Sequence, residues 1–419
     1  MHNKKGKWKR CQPADCLCLY WTPAQAATQE ELAIQSEAVV LMDALSGTVL
    51  YEKNADEILY PASITKIMTV YLALTHGSAD QLLTASASAI DSIDRQSSHI
   101  WLDYDEQLTL QDACYAAMMA SANDASNVLA EAIGGSQQQF ADMMNQAAAE
   151  AGTRSTHFAN AHGLPDPDHY TTAYDMAMIT RMALENEAFR EVFGAVTYEM
   201  APTNKQAEVR YFASGNEMLK KGEYYYEYAT GGKIGWTQDA GYTMVTTAEK
   251  DGITLIAVVM KAPSTKSRYV DTQTLFDYGF SHYKQITVPA SSFEDKTVEI
   301  MKNGNLWAEA SFHMNADFMI LALSEDDPSQ YTARIEIQNE SDPETVAAFA
   351  ILDKNGTEIA RQAMEKELVM HDVSFAATGW PKIQRVLDWI SVIVFILVMA
   401  AFAAAVAARL TSRKKKRRD

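Results

Sequence analysis

The chain has 419 residues, 47% of them hydrophobic, and carries 54 acidic against 36 basic side chains, a net charge of −18. That length and apolar content can fill more than one hydrophobic core and exclude a small scaffold held by staples. The acidic balance repels phosphate, and no stretch mixes basic and aromatic residues as a nucleic-acid groove does, so nucleic acid is excluded as a partner.

The charge is unevenly spread. Residues 1–26 hold five basic residues and one acid, and residues 409–419 hold seven and one. Lys4, Lys5, Lys7, Lys9 and Arg10 form a signal-like basic region, and Ala24-Gln25-Ala26 fits a small-residue cleavage site. Pro13 and Asp15 interrupt the apolar middle, so residues 1–26 read as an atypical signal peptide; a mis-assigned start codon is the other reading. Cys11, Cys16 and Cys18 lie in this leader. Only Cys114 remains in the mature chain, which excludes an internal disulfide there. No matching ligand cluster accompanies the cysteines, so no metal site is expected.

Residues 38–42 and 48–51, joined at Ser46-Gly47, read as a β-hairpin. Then comes Tyr60-Pro61-Ala62 followed by Ser63-Ile64-Thr65-Lys66 and an apolar run, residues 67–74. Proline near a first turn before such a run marks a helix start. Positions i and i+3 share a helix face, so Lys66 can reach the Ser63 hydroxyl. A serine is a weak nucleophile until a neighbouring base takes its proton. A lysine is such a base only when burial or nearby positive charge lowers its pKa. The bare pattern is cheap, since Ser412-Arg413-Lys414-Lys415 shows it in a basic tail. On the pattern alone, an N-cap serine with a solvated lysine is the better reading.

Partners make it specific. Residues 110–120 are helical in pattern, with Cys114 on the apolar face as a core residue. Ser121-Ala122-Asn123 follows, leading into Asp124. Gly232-Lys233-Ile234-Gly235-Trp236-Thr237 precedes strand-like residues 241–247. Ser-x-x-Lys, Ser-x-Asn and Lys-Thr-Gly in this order define one nucleophilic serine site. Ser214-Gly215-Asn216 is a competing Ser-x-Asn, read here as a turn. His162 and His169, in the loop 160–172, read as structural, and Asp166 and Asp168 as solvated charges. Strands are expected at 241–247 and 253–260 and a helix at 267–278, giving an α+β domain. After residue 286, alternating runs and the pairs Asn303-Gly304 and Asn355-Gly356 read as hairpins of a small β-rich domain. Residues 390–408 are 19 residues without a charge, close to the ~20 that span a bilayer. Trp380 and Trp389 precede them, and Arg413 to Arg418 are consecutively basic, which places that end in the cytoplasm.

With these motifs the chain resembles the serine D-alanyl-D-alanine carboxypeptidases, low-molecular-mass penicillin-binding proteins of the S11 type. The likeness runs over about residues 37–283. Pro61-Ala62-Ser63-Ile64-Thr65-Lys66, Ser121-Ala122-Asn123-Asp124-Ala125, Asn160-Ala161-His162-Gly163-Leu164, His169-Tyr170-Thr171-Thr172-Ala173-Tyr174-Asp175-Met176 and Asp277-Tyr278-Gly279-Phe280 carry it. The resemblance implies a penicillin-binding/β-lactamase-like transpeptidase fold, an antiparallel sheet flanked by helices beside a helical lobe. The expected organisation is a leader (1–26), a catalytic domain (35–285), a β-rich domain (286–375), a linker (376–389), a transmembrane helix (390–408) and a basic cytoplasmic tail (409–419). The protein is then a single-pass protein of the cell membrane with its catalytic domain outside.

The resemblance also implies roles. Ser63 attacks the penultimate D-alanine carbonyl of a peptidoglycan stem peptide ending in D-Ala-D-Ala, D-alanine leaves, and water hydrolyses the acyl-enzyme. Lys66 accepts the Ser63 proton, Ser121 and Lys233 relay a proton to the leaving amine, and Asn123 binds the substrate amide. Backbone N–H groups of Ser63 and Trp236 form the oxyanion hole, which Gly235 permits by close approach. Thr237 and Arg268 serve the substrate carboxylate. β-Lactams acylate the same serine, and no cofactor is implied. Ile234 departs from the family's threonine and removes a hydroxyl. A peptidoglycan D,D-endopeptidase shares all three motifs. A β-lactamase is the nearest enzymatic rival, disfavoured because Ala122 replaces an aspartate and residues 165–169 offer no glutamate. A non-catalytic peptidoglycan-binding homologue is the reading from another class.

Overall fold

The computed structural model describes residues 32–371, apart from 291–292, 294, 303–304, 315, 326, 328–330, 353–355 and 357. The leader, the linker, the expected transmembrane helix and tail, and the turns at Asn303-Gly304 and Asn355 lie outside the described residues. Among those described, no helix is long and apolar enough to cross a membrane.

The chain starts with β1 (Ala38–Asp43) and β2 (Val49–Lys53), an antiparallel hairpin closed through Ser46 and Gly47. A short 3₁₀ turn, Ala62–Thr65, runs directly into α1 (Lys66–His76). Two short strands, β3 (Leu82–Thr84) and β4 (Gln107–Thr109), pair around α2 (Ala87–Asp91). Then α3 (Leu110–Met119), α4 (Asn123–Gly134), α5 (Gln137–Glu150), α6 (Ala173–Leu184) and α7 (Glu187–Gly194) build the helical lobe. Their starts are written in sequence. Thr109 and Asp112 form a reciprocal capping box on α3, and the Thr172 hydroxyl accepts from Asp175 N–H on α6.

β5 (Thr197–Met200) and β6 (Arg210–Ala213) form a hairpin, and the chain returns to the sheet with β7 (Ala229–Thr237), β8 (Gly241–Lys250) and β9 (Ile253–Ala262). The sheet order is β2-β1-β9-β8-β7, antiparallel throughout, with β7 at one end. α8 (Thr265–His282) covers one face, capped by the Ser264 hydroxyl. Both faces of the central strands are buried, and successive side chains point oppositely. Val40 and Met42 of β1 and Ile256 and Val258 of β9 face the helical lobe. Val39 and Leu41, with Leu255, Ala257 and Val259, face α8. That is why residues 255–260 are apolar without interruption.

Sequence reading placed the strands at 241–247 and 253–260 but assigned none to 229–237. Gly231, Gly232 and Gly235 dilute the strand signal there. The glycines have a steric reason: a Cβ on Gly232 would stand 2.3 Å from Asn216 Nδ2, and one on Gly231 2.5 Å from the Phe193 ring.

β10 (Tyr283–Val288), β11 (Lys296–Lys302), β12 (Asn305–His313), β13 (Phe318–Leu323), β14 (Thr332–Gln338), β15 (Val346–Leu352), β16 (Glu358–Ala363) and β17 (Glu365–Met370) follow. Two compact units result. One takes the residues up to Val288 with Phe318–Thr332 and Leu352–Ala360, because β13 pairs with β10. The other takes Pro289–Asp317, Ala333–Ile351 and, of the described residues beyond, 361–371, with the sheet β11-β12-β17 and Phe293 against Phe349.

Candidate active site

Ser63 sits in the 3₁₀ turn and Lys66 opens α1, so the i, i+3 spacing brings Lys66 Nζ to 3.2 Å from Ser63 Oγ. Lys66 is fully buried, and its nitrogen donates to Asn123 Oδ1 and to the His162 carbonyl oxygen, each at 2.7 Å. All three partners are neutral oxygens. Burial therefore drives the Lys66 pKa well below the ordinary lysine value, the Lys233 charge adds to this, and Asp124 opposes it. A neutral amine has two hydrogens and one lone pair. Two of its neighbours, the Asn123 and His162 oxygens, can only accept, so the lone pair is left for the Ser63 hydroxyl.

Ser121 and Lys233 form the second pair. Lys233 Nζ donates to Ser121 Oγ at 3.0 Å and to the carbonyl of Ile234 at 2.8 Å. Burial, then the Arg268 charge, lowers Lys233 to about 7. Ser121 adopts φ +55°, a left-handed conformation that is uncommon for serine. It is held by its neighbours: Ala122 N–H donates to the end of α3, and Asn123 N–H to the Ser98 carbonyl at 2.9 Å. Asn123 Nδ2 also donates to Ser97 Oγ at 2.8 Å. The amide of Asn123 is thus fixed on both sides, with one lone pair and one hydrogen to spare.

The 3₁₀ turn carrying Ser63 is clamped. Ala62 has φ +51°, again left-handed. Pro61 O accepts from Thr243 Oγ1 on β8 at 2.9 Å, and Ala62 O accepts from Thr65 Oγ1 at 2.8 Å. On β7, a Cβ at Gly235 would stand 2.7 Å from the Ser63 nitrogen and 2.5 Å from Thr243 Oγ1. The expected close approach at Gly235 is present, and only glycine allows it. Trp236, next along β7, is 58% exposed, the most open of the expected site residues on that strand.

Arg268 of α8 is buried with its guanidinium between the rings of Tyr242 and Tyr269. Its Nη1 donates to the Gly235 carbonyl at 3.4 Å, and its Nε has no protein partner. Thr237 Oγ1 accepts from Ala240 N–H at 3.0 Å in the β7–β8 turn, which leaves its own proton free to donate. Ile234 packs against the cluster of Met244, Tyr269 and Phe276, with its terminal methyl 3.0 Å from where a Cβ on Gly215 would lie.

The residues read in the sequence as turn, core and loop residues are found in those places. Ser214-Gly215-Asn216 is a turn: Ser214 Oγ accepts from Asn216 N–H, and Asn216 caps the short turn at Glu217–Leu219. Cys114 is buried on α3, and burial pushes its thiol pKa up. His162 and His169 are buried, and burial lowers them to about 3 and about 4. Asp124 was read only as context for Ser121. Its carboxylate accepts from the N–H groups of Ile100 and Leu102 and so fixes the loop that carries Ser97 and Ser98. The signal for it was Asp directly after Asn123 in a first helical turn. Among the described residues no group of His, Cys, Asp and Glu could hold a metal ion.

Residues 24–264 match the D-alanyl-D-alanine carboxypeptidase family. The chain is 34% identical to D-alanyl-D-alanine carboxypeptidase DacF of Bacillus subtilis over 279 residues, 64% of this chain and 69% of that one. It is 33% identical to DacC of Escherichia coli over 282 residues, 65% and 68% of the two chains. Penicillin binding protein 5 from Haemophilus influenzae superposes with a TM-score of 0.68 at 27% identity, covering 81% of this chain and 98% of that one. A Streptomyces K15 DD-transpeptidase variant does so at 0.56 and 28%, covering 60% and 99%.

Proposed function

Since the chain belongs to the D-alanyl-D-alanine carboxypeptidase family, we propose that Ser63 carries its reaction: removal of the terminal D-alanine of a peptidoglycan stem peptide through an acyl-enzyme. The observation that supports this most is the environment of Lys66, a buried amine beside Ser63 with no anion in hydrogen-bond contact. In its neutral form Lys66 takes the Ser63 proton as the hydroxyl attacks the penultimate carbonyl. The oxyanion then lies between the N–H groups of Ser63 and Trp236, the two strands of backbone that Gly235 lets approach. Lys233, near neutrality in pKa, passes a proton through Ser121 Oγ to the departing amine. The free hydrogen of Asn123 Nδ2 binds the substrate amide. Water then hydrolyses the ester and restores Ser63.

Arg268 and Thr237 receive the terminal carboxylate. The buried guanidinium with an unpartnered Nε supports this reading, since a positive group placed in a dry site without an anion is costly unless a ligand supplies one. β-Lactams acylate Ser63 by the same path. The strands after residue 286 form the proposed β-rich domain, and residues 390–408 the proposed anchor in the cell membrane, with the catalytic domain (35–285) outside and residues 409–419 in the cytoplasm.

The test is D-alanine release from diacetyl-Lys-D-Ala-D-Ala by the full-length protein beside Ser63→Ala. Release that vanishes in the variant supports the carboxypeptidase. No release by folded wild type, with release from cross-linked muropeptides, moves the assignment to an endopeptidase.

A further inference from the structure

We propose that His169 is a positioning residue for the nucleophile: through the Thr65 hydroxyl it fixes the Ala62 carbonyl and hence the turn that presents Ser63, an inference that rests on the acyl-enzyme reading above. Four hydrogen bonds define the chain. Ala159 N–H and Asn160 N–H point at His169 Nδ1, at 3.1 and 3.4 Å. Two backbone donors require an unprotonated Nδ1, so the proton of the neutral ring sits on Nε2. His169 Nε2 lies 2.8 Å from Thr65 Oγ1 and donates to it. The Thr65 hydroxyl, with its acceptor side taken, directs its own proton to Ala62 O at 2.8 Å. Each link has only one consistent direction.

The end of that chain matters because of where it falls. Ala62 is the residue before Ser63 and has φ +51°, a strained conformation for alanine that persists only when its surroundings hold it. Gly163 packs on the same carbonyl so closely that a Cβ there would stand 1.9 Å from Ala62 O. The loop that holds His169 also delivers the His162 carbonyl to Lys66 Nζ. Nucleophile and base are thus both referenced to one loop, residues 159–169, through buried bonds at Thr65 and Lys66. His169 touches no reacting atom, so its effect is on the placement of Ser63 and not on proton transfer.

The test follows acylation of the full-length protein by a fluorescent penicillin, together with thermal melting. Thr65→Val removes the hydroxyl at nearly constant shape. His169→Asn keeps an acceptor near Nδ1 for the loop but cannot reach Thr65. Each is expected to lower the acylation rate constant about tenfold, the factor that 1.36 kcal/mol of barrier gives, with penicillin concentration at half-saturation unchanged. Thr65→Ser restores the rate, and the double variant Thr65→Val/His169→Asn is no slower than either alone because both break one chain. Folded single variants that acylate at the wild-type rate, with only the melting temperature lowered, overturn the proposal and leave a purely structural histidine. Wild-type protein that takes no label, like the Ser63→Ala control, overturns the acyl-enzyme reading and this inference with it.

Discussion

The main-chain oxygen of His162 stands 2.7 Å from Lys66 Nζ. The imidazole of His162 is a bystander, while its carbonyl occupies one of the two hydrogens that a neutral Lys66 possesses. With Asn123 Oδ1 on the other, the base has a single direction in which to accept a proton.

In the proposed mechanism the two lysines set the pH dependence. Acylation needs Lys66 neutral, so kcat/KM rises with pH through the lowered Lys66 pKa. It needs Lys233 protonated, so it falls as pH passes about 7. Burial lowers Lys233 first and the Arg268 charge second. Arg268→Gln removes a positive neighbour, which raises the Lys233 pKa and moves the descending limb to higher pH. A pH–rate profile with diacetyl-Lys-D-Ala-D-Ala reads this, and KM is expected to rise as well. A limb that stays in place would separate Arg268 from the relay.

Gly235→Ala introduces a methyl 2.7 Å from the Ser63 nitrogen and 2.5 Å from Thr243 Oγ1. Backbone, not a flexible tip, is in the way on one side. β7 must retreat, and the second N–H of the oxyanion site goes with it. A loss of about 10²–10³ in acylation rate is expected, the scale of one lost oxyanion donor, in a protein whose circular dichroism is unchanged. Wild-type acylation would show that β7 does not frame the oxyanion.

Ser121→Ala and Ser214→Ala distinguish the two Ser-x-Asn sites. Ser121 Oγ holds Lys233 Nζ at 3.0 Å, whereas Ser214 Oγ only accepts a turn N–H at 3.2 Å. D-alanine release is expected to vanish in the first and to persist in the second. The opposite pattern would move the relay to residue 214.

Ile234→Thr trades packing for a hydroxyl. Ile234 is partly buried against the apolar cluster that contains Met244, Tyr269 and Phe276, so the variant is expected to lose about 0.5–1.5 kcal/mol, the scale of trimming a packed isoleucine. Its specificity constant for D-Ala-D-Ala peptides is expected to rise, because the new hydroxyl joins Arg268 in holding the carboxylate. Equal or lower kcat/KM in a stable variant would count against any carboxylate contact at this position.

The local parts of the site were legible in the sequence. Ser63 and Lys66 are one helical turn apart, and Ser121 and Asn123 flank a helix start, so spacing alone carries their geometry. Arg268 lies on a helix that apolar pattern located to within a few residues at its N-terminal end. The long-range parts were not. His169 meets Thr65 across 104 residues, and Asp124 reaches back 22 and 24 residues to Leu102 and Ile100. No periodicity encodes such contacts. The strand bearing Lys233 was missed for a related reason: its glycines answer to neighbours from other segments, Asn216, Phe193 and Ser63, and not to strand propensity.

β7 ends its sheet. A terminal strand offers unpaired N–H and C=O groups to any extended chain, which is how a peptide adds itself to a sheet. An enzyme for short extended peptides gains from that openness, yet the same row of groups is a template for self-association. Here the edge is narrowed at Gly235. The turn at Ala62–Ser63 closes against Gly235, and Trp236 projects into solvent beside it. A net charge of −18 also keeps two copies apart. The geometry proposed to bind the substrate therefore doubles as protection against aggregation through β7.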